Sequence, residues 1–90
     1  MGLFWSNKYG AVISDAETFN QDISLWDVSS VTNMKEMFRG AANFDQNISI
    51  WVVSLVTDME RMFNDTSYFN QDISPWNITN VSTMNFMFMD

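Results

Sequence analysis

Oxygen-bearing side chains recur along this chain at one spacing. Asn20, Asp45 and Asn70 stand 25 residues apart, as do Gln21, Gln46 and Gln71, and Asp22, Asn47 and Asp72 (45 − 20 = 25; 70 − 45 = 25). Carboxylate and amide oxygens gathered in a turn are ligands for a hard cation such as Ca²⁺. The same side chains also hold turns with no ion, by accepting hydrogen bonds from nearby backbone N–H groups. Because the columns mix amides with acids and lack the Gly-rich pattern of a calcium loop, the second chemistry is the better reading, and no metal or cofactor is expected. Asp15, Glu17, Glu36, Glu60 and Asp65 could act as general acids or bases only beside a nucleophile or a positioned partner. No histidine and no phosphate-cradling glycine loop accompanies them. They read as solvated charge, and the chain is expected not to be an enzyme.

Composition removes further classes. The 90 residues contain no cysteine and no histidine, so disulfides, thiolate chemistry and a typical structural zinc site are excluded. Only Lys8, Lys35, Arg39 and Arg61 are cationic, and the net charge is −7. Nucleic-acid affinity rests on neutralising phosphates with Lys and Arg, so nucleic acid is not an expected partner. With 47% hydrophobic and 16% aromatic residues the chain is too apolar for disorder. No stretch approaches the ~20 apolar residues of a membrane span, and the opening residues have no signal-peptide pattern, so membrane insertion is not expected and the compartment stays open.

The elements that must position these residues come from the repeat itself. The stretch from Phe19 to Asn43 is written again from Phe44 and a third time, shortened, from Phe69. A fixed period in the ~20–50 residue range is the mark of a stacked-repeat fold, in which each unit buries its apolar face on its neighbours. One domain is expected over residues 1–90: a cap and half-repeat at 1–18, repeats at 19–43 and 44–68, and a truncated repeat at 69–90. The columns Phe19/Phe44/Phe69, Ile23/Ile48/Ile73, Trp26/Trp51/Trp76, Val28/Val53/Ile78, Val31/Val56/Val81, Met34/Met59/Met84, Met37/Met62/Met87 and Phe38/Phe63/Phe88 form the expected core. Alternation over Trp26–Val28 and Trp51–Val53 predicts a short strand in each unit. Val31, Met34, Met37 and Phe38 stand at helical spacing, and Thr57-Asp58-Met59-Glu60 matches a capping box, so a short helix is predicted after each strand.

The unit F-N-Q-D-I-S-x-W-x-V-S-x-V-T-x-M-x-x-M-F, read at residues 19–38, resembles the repeat of the BspA-like leucine-rich-repeat proteins, in the variant of about 25 residues found in mycoplasma surface proteins, a domain of unknown function. The likeness runs from Val12 to the end. It implies an α/β fold, a short right-handed leucine-rich-repeat-like solenoid with parallel strands on the inner face and short helices on the outer face. It also implies a surface protein that works by adhesion, usually within a longer array.

Two surfaces are the expected sites of action. Alternation along the strands points Leu25, Asp27, Ser29, Ile50, Val52, Ser54, Pro75, Asn77 and Thr79 away from the core on the inner face, where a protein partner would bind. At the C-terminal end, Phe86 and Met89 replace the polar residues of the earlier units, so Met84, Phe86, Met87, Phe88 and Met89 are the expected interface of a homo-oligomer. The function expected is therefore protein–protein interaction or adhesion through the inner face and the apolar end. The alternative is a structural self-assembling repeat unit, or a fragment of a longer surface array.

Overall fold

The computed structural model describes residues 13–85, 87 and 88. The 25-residue period is physical: backbone groups in one unit bond those in the next at near-constant register. The N–H groups of Met34, Glu36, Phe38 and Gly40 donate to the carbonyls of Asp58, Glu60, Met62 and Asn64 at 2.8–2.9 Å. Those of Met59, Arg61 and Phe63 donate to Thr83, Asn85 and Met87 at 2.8–3.0 Å. Each unit is thus a coil laid on its neighbour: coil 1 over 19–43, coil 2 over 44–68 and coil 3 from 69 onward.

The expected α/β leucine-rich-repeat solenoid is not what these coils are. Among the described residues there is no helix, and strand structure is confined to isolated bridge residues, with parallel pairings Asn33 to Asp58 and Asp58 to Thr83. Each coil is instead a chain of tight turns closed by i to i+3 hydrogen bonds. In coil 1, Trp26 N–H donates to Ile23 C=O (3.0 Å), Val31 to Val28 (3.0 Å), Met37 to Met34 (3.2 Å), Ala41 to Phe38 (3.0 Å) and Phe44 to Ala41 (3.0 Å). Every one of these turns has an apolar residue at each end and mostly polar residues at its two corners. The ends point inward and the corners outward, so an apolar spacing of three that suggests a helix is here the spacing of turn ends.

Backbone sign explains why no helix forms. Glu36 and Arg61 have φ of 59° and 56°, and Asp15, Gly40 and Asp65 have 63°, 75° and 58°. Each is the third residue of a four-residue turn, the place where a type II turn requires positive φ. A right-handed helix cannot run through such a residue. The expected strands at Trp26–Val28 and Trp51–Val53 fail because turns closing on Trp26 and opening at Val28 leave only one residue of extended chain between them. Positive φ favours glycine at Gly40, and a Cβ there would stand 2.6 Å from Asp15 Oδ1, so the Asp15 side chain would have to shift.

The core is the stack of turn ends. Phe38, Phe44, Phe63, Met34, Met37, Ile48, Met59 and Met62 are fully buried. Aromatic rings stack along columns, Phe19 on Phe44 on Phe69 at 5.9 and 5.8 Å, and Trp51 on Trp76 at 6.4 Å with planes 5° apart. Neighbouring columns also join, with Phe38 on Phe44 and Phe63 on Phe69 both at 4.3 Å. Burial falls off toward the ends: Phe19, Trp26, Phe69, Ile73 and Val81 are partly buried, and Ile78, Met84 and Phe88 of the expected core columns are exposed.

Candidate functional site

The turn entrances are where the polar columns act. Asp22 Oδ1 accepts from Ser24 N–H, Asn47 Oδ1 from Ser49 N–H and Asp72 Oδ1 from Ser74 N–H, each at 2.9 Å. Asp27 Oδ1 accepts both the N–H and the hydroxyl of Ser29 (3.0 and 2.6 Å), and Asn77 Oδ1 does the same for Thr79 (3.1 and 2.6 Å). A second set ties coil to coil: Asn20 Oδ1 accepts from Asp45 N–H and Gln46 Nε2, and Asp45 Oδ1 accepts from Asn70 N–H and Gln71 Nε2. One side-chain oxygen each of Asn20, Asp22, Asp45, Asn47 and Asp72 is thus occupied by backbone or amide donors. Among the described residues no group of three or more acidic side chains is placed to hold a metal ion.

These bonds set the charge behaviour of the carboxylates. The backbone N–H of Ser24 and then its hydroxyl hold the Asp22 carboxyl below its ordinary value of 3.8, and Ser74 does the same for Asp72. For Asp27 the Ser29 hydroxyl is the larger cause and the Ser29 N–H the second. A carboxylate that accepts such bonds is favoured in its charged form, which is the behaviour of a structural acceptor.

The expected binding residues sit on the outside, for a reason other than strand alternation. Leu25, Ile50 and Pro75 are corners of the turns Ile23–Trp26, Ile48–Trp51 and Ile73–Trp76, so they form one exposed column; Leu25 is 70% and Ile50 65% exposed. Asp27, Val52 and Asn77 are the single residues between two turns, all exposed, Val52 at 57%. Ser29 and Ser54 are half-buried corners and Thr79 an exposed one. Leu55, 51% exposed, is a corner of the next turn, Val53–Val56. It was not among the expected residues; the apolar pair Val53 and Val56, three apart, is the signal that marks it as a corner.

Val52 breaks a pattern. Its column neighbours Asp27 and Asn77 each hold the following turn through a side-chain oxygen, and Val52 has none to offer Ser54. Coil 2 therefore forgoes a turn-holding bond and presents Ile50, Val52 and Leu55 to solvent within six residues of one another. Ile50 also lines a polar concavity of ≈ 290 Å³ with Asp22, Ser24, Gln46 and Asn47.

At the C-terminal end the expected interface residues divide. Met87 is buried, Met84 is 40% and Phe88 58% exposed, and Phe86 and Met89 lie outside the described residues. Phe88 stacks on Phe63 at 5.2 Å.

Coils of tight turns, stacked at a 25-residue register with asparagine and aspartate at the turn entrances, define the class. The chain matches the family described as Mycoplasma protein of unknown function, DUF285, over residues 7–90, and it belongs to that family. No curated protein and no solved structure matches it. The wider likeness to leucine-rich repeats does not extend to the strand-and-helix unit of those proteins. Among the described residues no helix is long and apolar enough to cross a membrane.

Proposed function

We propose that the chain is a non-enzymatic binding module that holds a protein partner on the exposed patch Leu25, Ile50, Val52 and Leu55, with Pro75 extending the column. The observation that carries this reading is Val52, where an exposed branched apolar residue stands in place of a turn-holding acceptor. An apolar side chain in place of that acceptor adds exposed apolar area, and apolar area removed from water is what drives association. A patch rimmed by Asp27, Ser29, Ser54, Asn77 and Thr79 has the apolar centre and polar edge of an interface. The net charge of −7 directs the reading to protein and away from nucleic acid. A place at the cell surface and an adhesive role, which the sequence resemblance implies, fit a module of this kind.

Val52→Asp separates binding from folding. The new carboxylate can accept from Ser54 N–H as Asp27 does from Ser29, so the variant should fold and gain about 0.5–1 kcal/mol in a urea melt. A photo-crosslinking residue at position 25 should capture a protein from mycoplasma or host-cell membrane extract that one at exposed position 68 does not, and Val52→Asp should abolish the adduct. An adduct formed equally from both positions, or one that survives Val52→Asp, overturns the proposal.

A further inference from the structure

Ile50 belongs to two features at once. It is 65% exposed in the corner column with Leu25, and it lines the polar concavity of ≈ 290 Å³ with Asp22, Ser24, Gln46 and Asn47. The concavity lies where coil 1 meets coil 2, since Asp22 and Ser24 come from one and Gln46, Asn47 and Ile50 from the other. Its volume stands at the floor of the ~300–1,000 Å³ range of small-molecule sites, which is room for one side chain of a partner.

The hydrogen bonds already made there decide which side chain. Gln46 Nε2 donates to both the backbone oxygen and Oδ1 of Asn20, at 3.1 and 3.0 Å, so the group Gln46 keeps for a ligand is the acceptor Oε1. Asp22 gives Oδ1 to Ser24 N–H at 2.9 Å and retains its second carboxylate oxygen. The Ser24 N–H and then the Ser24 hydroxyl hold this carboxyl in its charged form. Asn47 gives Oδ1 to Ser49 N–H and keeps its amide hydrogens, which a partner's backbone carbonyl can accept. None of Lys35, Arg39 and Arg61 lines the concavity; Lys35 stands beside Glu60 at 4.0 Å and Arg39 beside Glu36 at 3.7 Å.

An anion would be repelled here, by Asp22 and by a net charge of −7. A purely apolar group would strand the Asp22 and Gln46 oxygens away from water. A Lys ammonium or an Arg guanidinium carries donors and no acceptor, which complements a carboxylate beside an amide oxygen.

Resting on the reading of the patch as a protein site, we propose that the concavity receives a Lys or Arg side chain of that protein, with a neighbouring apolar residue of the same segment lying on Ile50 and Leu25. The partner is thus a segment with a cation beside an aliphatic or aromatic residue. Its attraction to a chain of −7 should weaken as salt is added.

Coil 2 supplies the control. Asn47 holds its turn with the same 2.9 Å bond as Asp22, so Asp22→Asn removes the charge and keeps the turn. Selection of a random heptapeptide library on the immobilised chain should enrich Lys or Arg next to Val, Leu, Ile or Phe. On Asp22→Asn the cationic preference should vanish while the apolar one stays, and on Val52→Asp the apolar preference should fall away. No enrichment, enrichment of apolar residues alone, or a cationic preference that survives Asp22→Asn overturns the proposal and leaves the patch to its own crosslinking test. Selection unchanged by Val52→Asp overturns the reading of the patch and the pairing built on it.

Discussion

Single residues in this protein are governed by turn chemistry, and Glu36 is the clearest case. It sits at φ 59°, where a side chain costs roughly 1–2 kcal/mol relative to a right-handed conformation and glycine costs little. Its ion pair with Arg39 is long, 3.7 Å, and partly exposed, so its loss counts for little. Glu36→Gly is therefore expected to raise stability by about 1 kcal/mol in a urea melt. In a helix the same change would lower it by about 1 kcal/mol, so the sign alone distinguishes the two backbones. Asp22, Asp27 and Asp72 add to the loss of stability in acid. Their carboxyls are held below 3.8 in the folded chain, so the stability they contribute is present above 3.8 and is lost as pH falls through their lower folded values. Asn47 makes the same bond without titrating. A series of melts from pH 5 to pH 2 should show stability falling below pH 3.8, with a smaller fall in Asp22→Asn; equal slopes in parent and variant would contradict this role.

The element here is a turn four residues long, with apolar ends and outward corners, and its scale explains what the sequence could and could not reveal. The columns were legible because the side chains repeat at 25 residues, and the middle of every column is buried as that reading requires. Helix and turn were not distinguishable by apolar spacing. Met34 and Met37 stand three apart in either structure, and the deciding fact, positive φ at Glu36 and Arg61, is carried by residue types that do not announce it. Gly40 was the visible hint, with Asp15 and Asp65, both side chains tolerated in left-handed turns, in its column. The exposed patch was found through an expected strand alternation that does not exist; corners of turns happen to fall on Leu25 and Ile50 as strand alternation would place them, whereas Leu55 is exposed only as a corner. Within the stack, Trp51 joins both kinds of cohesion, ring on ring with Trp76 and indole N–H to Ile23 C=O. Trp51→Ala removes both and should cost about 3–5 kcal/mol. A melt within a few degrees of the parent would show that the stack does not hold the fold.

The molecule is a pile of equivalent layers, each giving up its amides to the next, and its candidate surface follows from that plan. A side patch arises where corner residues become apolar, as at Leu25, Ile50 and Val52. Stability in such a pile is a sum of layer and layer-to-layer terms, so the outer coils are expected to open before the middle one. Because the ladder uses alternate amides, its signature is specific. Amide hydrogen exchange followed by NMR should show slow exchange at Met34, Glu36, Phe38, Gly40, Met59, Arg61 and Phe63, whose N–H groups reach the next coil, and fast exchange at Lys35, bonded only to the exposed side chain of Asn33. An unbroken run of protection through residues 34–40, Lys35 included, would instead be the mark of a helix and would contradict the stacked-turn coil on which the exposed patch depends.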